Sequence, residues 1–267
     1  MGFAVGFCVI GSVAAVLLLI CLLDKGVRVL RLEKFLVATG CCTRSVAKKQ
    51  VRAGAVTVNG VAPKTSDVSV DELNDTVCYC GKTVLYRRFT YVLLNKPQGV
   101  VSATEDGRDK TVLDLLPEDV RTRGMFPCGR LDKNTVGLML LTDNGELAHR
   151  LLAPNSHVSK VYYFKSRFPV SHEDAARFEG GLTLEDGYVT KPAKIQLTGN
   201  GDEGYITLVE GKYHQIKRML EALDNKITYL ERISFGPLSL DSSLDRGEWR
   251  YLTDSEIAAL ESHARNE

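Results

Sequence analysis

An aspartate closes a short polar loop at Gly129-Arg130-Leu131-Asp132. The loop separates two hydrophobic runs that predict strands at 125–127 and 138–142. Loops held between strands often position catalytic groups, and a carboxylate there can act as a nucleophile or as a base. The same residues also fit an ordinary turn with a surface ion pair. Asp132 is therefore the first candidate for chemistry, with Arg130 beside it.

A second candidate segment is Lys160-Val161-Tyr162-Tyr163-Phe164, within a predicted strand over 161–164. Because side chains alternate along a strand, Tyr162 and Tyr163 should lie on opposite faces. One ring can then enter the core while the other is presented to a ligand, such as a base extruded from RNA. Taken alone, the segment fits two core or rim tyrosines better.

A third segment, Glu210-Gly211-Lys212-Tyr213-His214-Gln215-Ile216-Lys217-Arg218-Met219, joins a strand end to an amphipathic helix. Lys217 and Arg218 lie next to the apolar stripe that contains Ile216 and Met219. A cation in that position can be half-desolvated and directed at a carboxylate or a phosphate. An ordinary solvated basic turn is the competing interpretation.

The elements around these segments alternate between strands and helices. Strands are predicted at 91–94, 125–127, 138–142, 161–164, 195–197, 205–209 and 227–233, and helices at 146–152, 173–178 and 213–223. A capping box, Thr253-x-x-Glu256, begins a last helix. The pattern favours an α+β domain built on a mostly antiparallel sheet.

The segment from 27 to 64 is strongly basic, with eight Lys or Arg residues and one acid, Glu33. Two helices are predicted, one that carries Leu32, Phe35 and Leu36 and stops at Gly40, and one over 45–53. A strand at 56–58, a turn at Asn59-Gly60 and a return strand that opens at Val61 follow, and the unit closes near Leu85. The net charge of the whole chain is only +1, which argues against uniform coating of nucleic acid, although this segment is a local cation.

The first 26 residues differ from the rest, because no charged residue occurs from Gly2 to Leu23. Their length suffices to cross a bilayer, but no basic segment precedes them and no cleavage site follows, so a signal peptide fits poorly. The seven cysteines contain no C-x-x-C pair. We therefore expect reduced thiols and no metal site.

Taken in order, these motifs resemble those of the pseudouridine synthases. The similarity rests on Gly129-Arg130-Leu131-Asp132 with Thr135 and Gly137-Leu138, and on Leu141-Thr142-Asp143-Asn144-Gly145. Further motifs resemble the branch acting on ribosomal RNA, and its small-subunit enzyme in particular. These are Leu94-Asn95-Lys96-Pro97-Gln98-Gly99, Lys160-x-Tyr162 and Gly211-x-x-His214-Gln215-x-Lys217-Arg218-Met219. Residues 28–75 are similar to the alpha-L RNA-binding module of that branch, and 88–262 to its catalytic domain.

The resemblance implies isomerisation of a uridine in structured RNA. By position, Asp132 is the catalytic aspartate, Tyr162 packs on the target base and Lys217 is the basic partner of the aspartate. Many relatives outside this branch have Arg where Lys217 stands. Further RNA contacts are expected from Arg130, Arg218, Arg31, Lys34, Arg44, Lys48 and Arg52. An isomerisation donates no group, so no cofactor is expected.

The implied partner is ribosomal RNA or a pre-ribosomal particle, bound by a cytoplasmic monomer. Three alternatives remain: the large-subunit synthase of the same family, a non-catalytic ribosome-assembly factor, and a methyltransferase or synthetase with the same module. A methyltransferase or synthetase would need a methyl-donor or ATP-binding loop, and the sequence contains no such motif. Residues 1–26 are expected to be dispensable. They are either a membrane anchor or the result of a start assigned too early. Membrane contact is expected only if they are an anchor. We favour the second explanation, with the true start at Val29 or Leu30.

Overall fold

The computed structural model describes residues 29–264 except 40, 73, 85, 87, 88, 123, 154 and 155. The chain divides into two compact units, with the boundary between residues 88 and 89. Within the described residues, no helix is long and apolar enough to cross a membrane. The expectations about residues 1–26 and about closure of the first unit at Leu85 fall outside the described residues.

The first unit contains two helices and two small antiparallel sheets in its described part. Its helices are α1 (Leu32–Ala38) and α2 (Arg44–Arg52), and its strands are β1 (Val29–Arg31), β2 (Val56–Val58), β3 (Ser69–Asp71), β4 (Val77–Tyr79) and β5 (Lys82–Val84). β1 pairs with β3, and the second sheet has the order β2-β4-β5.

The core of the first unit forms because both helices are amphipathic. α1 buries Leu32, Phe35 and Leu36, and α2 buries Ala47 and Val51, which are four residues apart and therefore on one face. The strands add Val56, Val70 and Val77 to the same apolar cluster. This burial leaves the basic side of α2 outward, where Arg44, Lys48 and Arg52 are spaced four residues apart and are exposed.

The return strand predicted at Val61 is wrong. Asn59 and Gly60 do form a tight turn, with φ angles of 52° and 80°, but only an isolated bridge joins Val58 to Val61. The Asn59 side chain instead bonds to Asp75 and Thr76, immediately before β4. These bonds bring β4 beside β2, and Pro63 has no backbone N–H with which to continue a ladder at the turn.

The second unit is built on one large sheet. Its strands are β6 (Tyr91–Lys96), β7 (Phe126–Pro127), β8 (Val136–Thr142), β9 (Lys160–Ser166), β10 (Lys194–Thr198), β11 (Glu203–Leu208), β12 (Ile227–Phe235), β13 (Leu238–Ser239) and β14 (Trp249–Tyr251). The order is β10-β11-β9-β12-β8-β6-β14, with β13 on β12 and β7 on β8. Among these described strands only β12 and β8 pair in parallel, which confirms the mostly antiparallel α+β architecture.

In the described part of this unit, four α-helices and one short 3-10 helix (Leu113–Leu115) accompany the sheet. The α-helices are α3 (Gly145–Leu152), α4 (His172–Gly180), α5 (Gln215–Glu221) and α6 (Asp254–His263). Side chains cap three of them, since Asn144 accepts from Leu147 N, Ser171 from Asp174 N, and Thr253 closes the predicted capping box with Glu256. Apolar side chains from the sheet pack in two clusters, one of which contains the buried face of α5.

The helix predicted over 213–223 is shorter in the structure and begins at Gln215. His214 precedes it in the left-handed conformation, with φ 50° and ψ 31°, so the chain before it cannot be helical. The Gln215 side chain accepts a bond from Lys212 N at 2.9 Å and holds this tight entry. The predicted apolar stripe is present, because Ile216, Met219 and Leu220 are buried.

Candidate active site

The loop that carries Asp132 is fixed by its backbone. Thr135 N donates to Asp132 O at 3.0 Å and closes a turn. The residue before Asp132 is also fixed. The Ser102 hydroxyl accepts a hydrogen bond from Leu131 N at 3.0 Å and donates one to Leu131 O at 2.8 Å. The carboxylate of Asp132 is therefore presented from a turn of defined geometry between β7 and β8.

Beneath this turn lies Lys96, whose side chain is fully buried at the end of β6. Its Nζ donates to four carbonyl oxygens, of Pro97 at 3.1 Å, Asp132 at 3.2 Å, Lys133 at 3.4 Å and Thr135 at 2.9 Å. Burial lowers the pKa of Lys96 to about 8, against the opposing attraction of Asp132. Lys96 was not predicted as a site residue, although the Leu94-Asn95-Lys96-Pro97 motif contains it.

A glycine at the start of β8 permits the close approach of β12. Gly137 has a φ of 98°, and a Cβ atom there would lie 2.3 Å from Arg232 O. No other residue type fits this contact without moving the backbone. Gly137 therefore determines how β12 is placed beside the strand that follows Asp132.

The Asp132 carboxylate has a different neighbour on each oxygen. Lys217, on α5, donates from Nζ to Oδ2 at 2.7 Å. The Nε2 atom of His214 lies 3.5 Å from Oδ1, too far for a good hydrogen bond. One oxygen is thus held by a charge-assisted bond, and the other remains available to a substrate. About a quarter of the Asp132 side chain is exposed.

These residues line a small pocket of about 70 Å³, which we call the catalytic pocket. Tyr162 lines it together with Asp132, His214 and Lys217. Leu131, Thr135, Leu208, Ile216 and Leu230 contribute to the wall. A carboxylate, a lysine and an aromatic ring thus converge on a partly apolar wall. The structure brings together the three side chains predicted to be catalytic.

The adjacent tyrosines of β9 lie on opposite faces, as alternation predicted. Tyr162 is 9% exposed, and it both belongs to the core and lines the catalytic pocket. Tyr163 lies on the other face, donates to Glu203 Oε2 at 2.5 Å and packs beside Tyr205 and Tyr229. The prediction had divided the two roles between two rings, whereas Tyr162 alone has both.

The two arginines predicted to bind RNA near the site differ in their surroundings. Arg130 is partly exposed and lines the catalytic pocket. Arg218 pairs with Asp186 at 2.5 Å rather than with the Asp132 cluster. His214, which had no predicted role, is the second side chain that faces Asp132. It was part of the quoted motif, but only the left-handed turn brings it to the carboxylate.

The five basic residues predicted to bind RNA in the first unit are all exposed on β1, α1 and α2: Arg31, Lys34, Arg44, Lys48 and Arg52. Two of them also have an internal partner. Arg44 donates to Glu33 Oε1 from Nε at 2.9 Å and from Nη2 at 2.6 Å, and Lys48 lies 3.7 Å from Oε2. Substitution of Arg44 or Lys48 would therefore change the stability of the unit as well as its surface charge.

Comparison with known proteins agrees with this fold. The RNA pseudouridylate synthase family matches residues 90–222, and the S4 domain matches residues 30–66. The chain is similar to a solved structure described as a pseudouridylate synthase, with a TM-score of 0.60 and 36% identity over 86% of this chain and 99% of that one. The chain thus has an S4 domain followed by a catalytic domain of the pseudouridine synthase type.

Relatives of known name are similar along almost their whole length. An uncharacterized RNA pseudouridine synthase, YtzG, of Bacillus subtilis (strain 168) is 47% identical over 236 residues, 86% of this chain and 98% of the relative. The ribosomal small subunit pseudouridine synthase A of Escherichia coli (strain K12) is 36% identical over 233 residues, 86% of this chain and 100% of the relative. The chain belongs to the pseudouridine synthase family and is an isomerase of RNA uridine.

Proposed function

We propose that this protein converts one uridine of small-subunit ribosomal RNA to pseudouridine and that Asp132 is its catalytic aspartate. The observation that supports the assignment most strongly is the Asp132–Lys217 bond of 2.7 Å inside a pocket lined by Tyr162. The small-subunit substrate is supported by the relatives named for that activity, which include the enzymes of Escherichia coli and Vibrio cholerae at 36% and 37% identity.

The reaction is an internal exchange of one bond for another. The bond from the ribose C1′ to N1 of uracil breaks, the base turns, and a bond from C1′ to C5 forms. C5 loses a proton and N1 gains one, so product and substrate have the same atoms. Nothing is oxidised and no group is donated, so the chemistry needs no cofactor. Asp132 can act as a nucleophile at C1′ or as a base on the sugar.

The neighbours of Asp132 suit either role. Lys217 holds Oδ2 in a charge-assisted hydrogen bond, which orients the carboxylate for either role. Oδ1 is left to face the pocket. The target base must be unstacked from the RNA, which costs a few kcal/mol, and stacking on Tyr162 would offset part of that cost. Arg130 at the pocket rim would contact the RNA backbone.

In this proposal the S4 domain supplies affinity through its exposed cations, and the catalytic domain supplies the reaction. The partner is ribosomal RNA or a pre-ribosomal particle. The protein acts as a monomer in the cytoplasm, where that substrate is assembled.

The test is to map pseudouridines on both ribosomal RNAs of a strain that lacks this gene. We expect one small-subunit pseudouridine to disappear, and purified protein to restore it in vitro on that RNA. Loss of a large-subunit pseudouridine instead would identify the related large-subunit activity. If both RNAs kept every pseudouridine while the purified protein still bound ribosomal RNA, a non-catalytic assembly role would replace this proposal.

A further inference from the structure

A second cavity, of about 270 Å³, adjoins the catalytic pocket. Tyr162, Arg130 and Lys212 line both. The rest of its wall comes from Gly129, the end of α3, β9 and β12, the segment around Tyr188, and residues 209–211, of which Glu210 and Gly211 also line the catalytic pocket. We call it the side cavity.

Two cations from neighbouring strands line the side cavity, the buried Arg232 and the half-buried Lys160. Arg232, on β12, is 1% exposed; its Nε donates to Leu138 O at 2.8 Å and its Nη2 contacts Met139 Sδ at 3.8 Å. Lys160, on β9, donates from Nζ to Val158 O at 2.8 Å. Among the residues that the structure describes, neither cation forms an ion pair with a carboxylate.

Two neighbouring positive charges in a largely desolvated site repel each other. Burial and, to a smaller extent, the positive charge of Arg232 together lower the pKa of Lys160 to about 8, against the opposing attraction of Glu210. Both cations approach the ring of Phe235, at 5.7 Å for Lys160 and 5.2 Å for Arg232, which compensates only part of the cost. Buried charges are normally paired, so an anion in the cavity would relieve the remaining cost.

The carboxylate that lines the side cavity is already engaged. Glu210 accepts bonds from Tyr188 OH at 2.8 Å, Lys191 N at 3.0 Å and Gln215 Nε2 at 2.5 Å. Five cations line the same cavity, which leaves a large excess of positive charge: Arg130, Lys160, Lys191, Lys212 and Arg232. The lining therefore has the composition of an anion site rather than of an apolar pocket.

We propose that the side cavity binds a backbone phosphate of the RNA next to the target uridine, together with part of the nucleotide attached to it. Lys160 and Arg232 contact the phosphate, and Tyr162 separates that nucleotide from the target base. The inference rests on the proposed function, because an RNA substrate places a phosphate within one nucleotide of any base that enters the catalytic pocket. A cation beside the target would hold the strand in its unstacked conformation.

The test removes the charge of the RNA phosphate and, separately, the charge of Lys160. A short RNA that the protein binds, containing the uridine proposed as the target, is made with single neutral methylphosphonate linkages, one at a time, on either side of that uridine. Each RNA is bound to the wild-type protein, to Lys160→Met and to Lys165→Met. Lys165 lies on the same strand, is exposed and pairs with Glu203 at 2.9 Å, so its removal is a matched control.

At one linkage we expect neutralisation to weaken binding to the wild type and to Lys165→Met by about tenfold or more, the usual effect of removing a charge-assisted bond. Binding to Lys160→Met should be weaker on native RNA and insensitive to that linkage. An equal weakening with all three proteins at every linkage would overturn the proposal. Ala153→Trp fills the side cavity without changing either cation, and full RNA affinity in that variant would also overturn it.

These binding measurements do not depend on turnover. If the wild-type protein bound the native RNA but formed no pseudouridine, the proposed function would fail, and the same binding comparison would still test the side cavity.

Discussion

Each unit contains an acidic side chain with two basic side chains near it, yet the two carboxylates differ in which oxygens are hydrogen-bonded. In the first unit, Glu33 is 5% exposed and both of its oxygens are bonded, Oε1 by Arg44 and Oε2 by Ser66. In the second unit, Asp132 is 25% exposed, and only Oδ2 has a short bond, to Lys217. A saturated carboxylate holds a fold together, whereas a half-saturated one can react.

The surroundings of the two clusters follow the same division. The Glu33 cluster joins α1, α2 and the segment at Ser66, so its bonds connect parts of the domain that are distant in sequence. The Asp132 cluster lies in a pocket, where His214 at 3.5 Å leaves Oδ1 accessible. The comparison predicts that charge changes at Glu33 act on stability and that charge changes around Asp132 act on turnover.

The largest effect among the neighbours of Asp132 is expected at Lys217. Lys217→Met should lower the rate of pseudouridine formation at saturating RNA by about 10- to 100-fold, because the substitution removes a charge-assisted hydrogen bond to the reacting carboxylate. Lys217→Arg should recover most of the rate, since a guanidinium can donate to the same oxygen. Single-turnover kinetics measure both rates.

Lys226→Met is the control for removing a lysine just after α5, and it should keep the wild-type rate. If Lys217→Met kept that rate as well, the bond to Asp132 Oδ2 would have no part in the reaction.

A smaller effect is expected from the exposed cations of the S4 domain. Lys34→Gln with Arg52→Gln should reduce the salt slope of RNA binding by about 0.7–0.9 for each phosphate that is no longer neutralised, without a change in stability. Arg44→Gln should reduce the slope and also destabilise the domain, because Arg44 is bonded to Glu33. Titrations at several salt concentrations and urea unfolding separate the two effects. Equal stability of the two variants would contradict the structural role of Glu33.

The smallest effect concerns acid stability. Hydrogen bonds from Arg44 hold the pKa of Glu33 below its usual value of 4.5, although desolvation opposes them. A group with a lowered folded pKa contributes stability that is complete above the unfolded pKa and is lost as the pH falls through the folded one. Glu33→Gln should therefore be less stable than the wild type at pH 7, and the difference should shrink below pH about 4.5.

Hydrogen exchange of the amides in α1 and α2 measures the stability of the S4 domain separately from that of the catalytic domain. Glu256→Gln is the control in the catalytic domain, where bonds from Arg250 lower the pKa of Glu256 to about 2. Its loss of stability should extend to lower pH and should leave α1 and α2 unchanged. A Glu33→Gln difference that stayed constant down to pH 3 would show that the charge of Glu33 contributes nothing.

Much of this molecule could be predicted from local sequence patterns. The helices of the S4 domain followed from their apolar spacing, and the strands of the catalytic sheet followed from their hydrophobic runs. The grouping of Asp132, Tyr162 and Lys217 followed from a resemblance to known motifs. These features depend on residues that are close together in the sequence or on patterns shared with a family.

The features that could not be predicted depend on long-range contacts or on a single backbone conformation. Lys96 binds the Asp132 turn from 36 residues away, and its burial had no local signal. His214 reaches the carboxylate because one residue adopts a left-handed conformation. The pairing of β2 with β4 required the side-chain bonds of Asn59 to residues 75 and 76. The bond of Arg44 to Glu33 could not be predicted either, because the basic residues of a helix face indicate that the face is exposed and do not indicate which carboxylate they bind.

The most direct test of the central claim is the rate of pseudouridine formation by Asp132→Asn, measured under single-turnover conditions beside Asp109→Asn. Asp109 accepts a hydrogen bond at 2.6 Å from Lys133, the residue that follows Asp132. Asp109→Asn is therefore a matched control, because it also removes a carboxylate that is paired with a lysine. We expect Asp132→Asn to lose at least about 100-fold in rate, as removal of a reacting carboxylate should. Its RNA affinity and unfolding free energy should stay near those of the wild type, and Asp109→Asn should keep the wild-type rate. A rate for Asp132→Asn within about tenfold of the wild type would contradict the assignment of Asp132 as the catalytic aspartate.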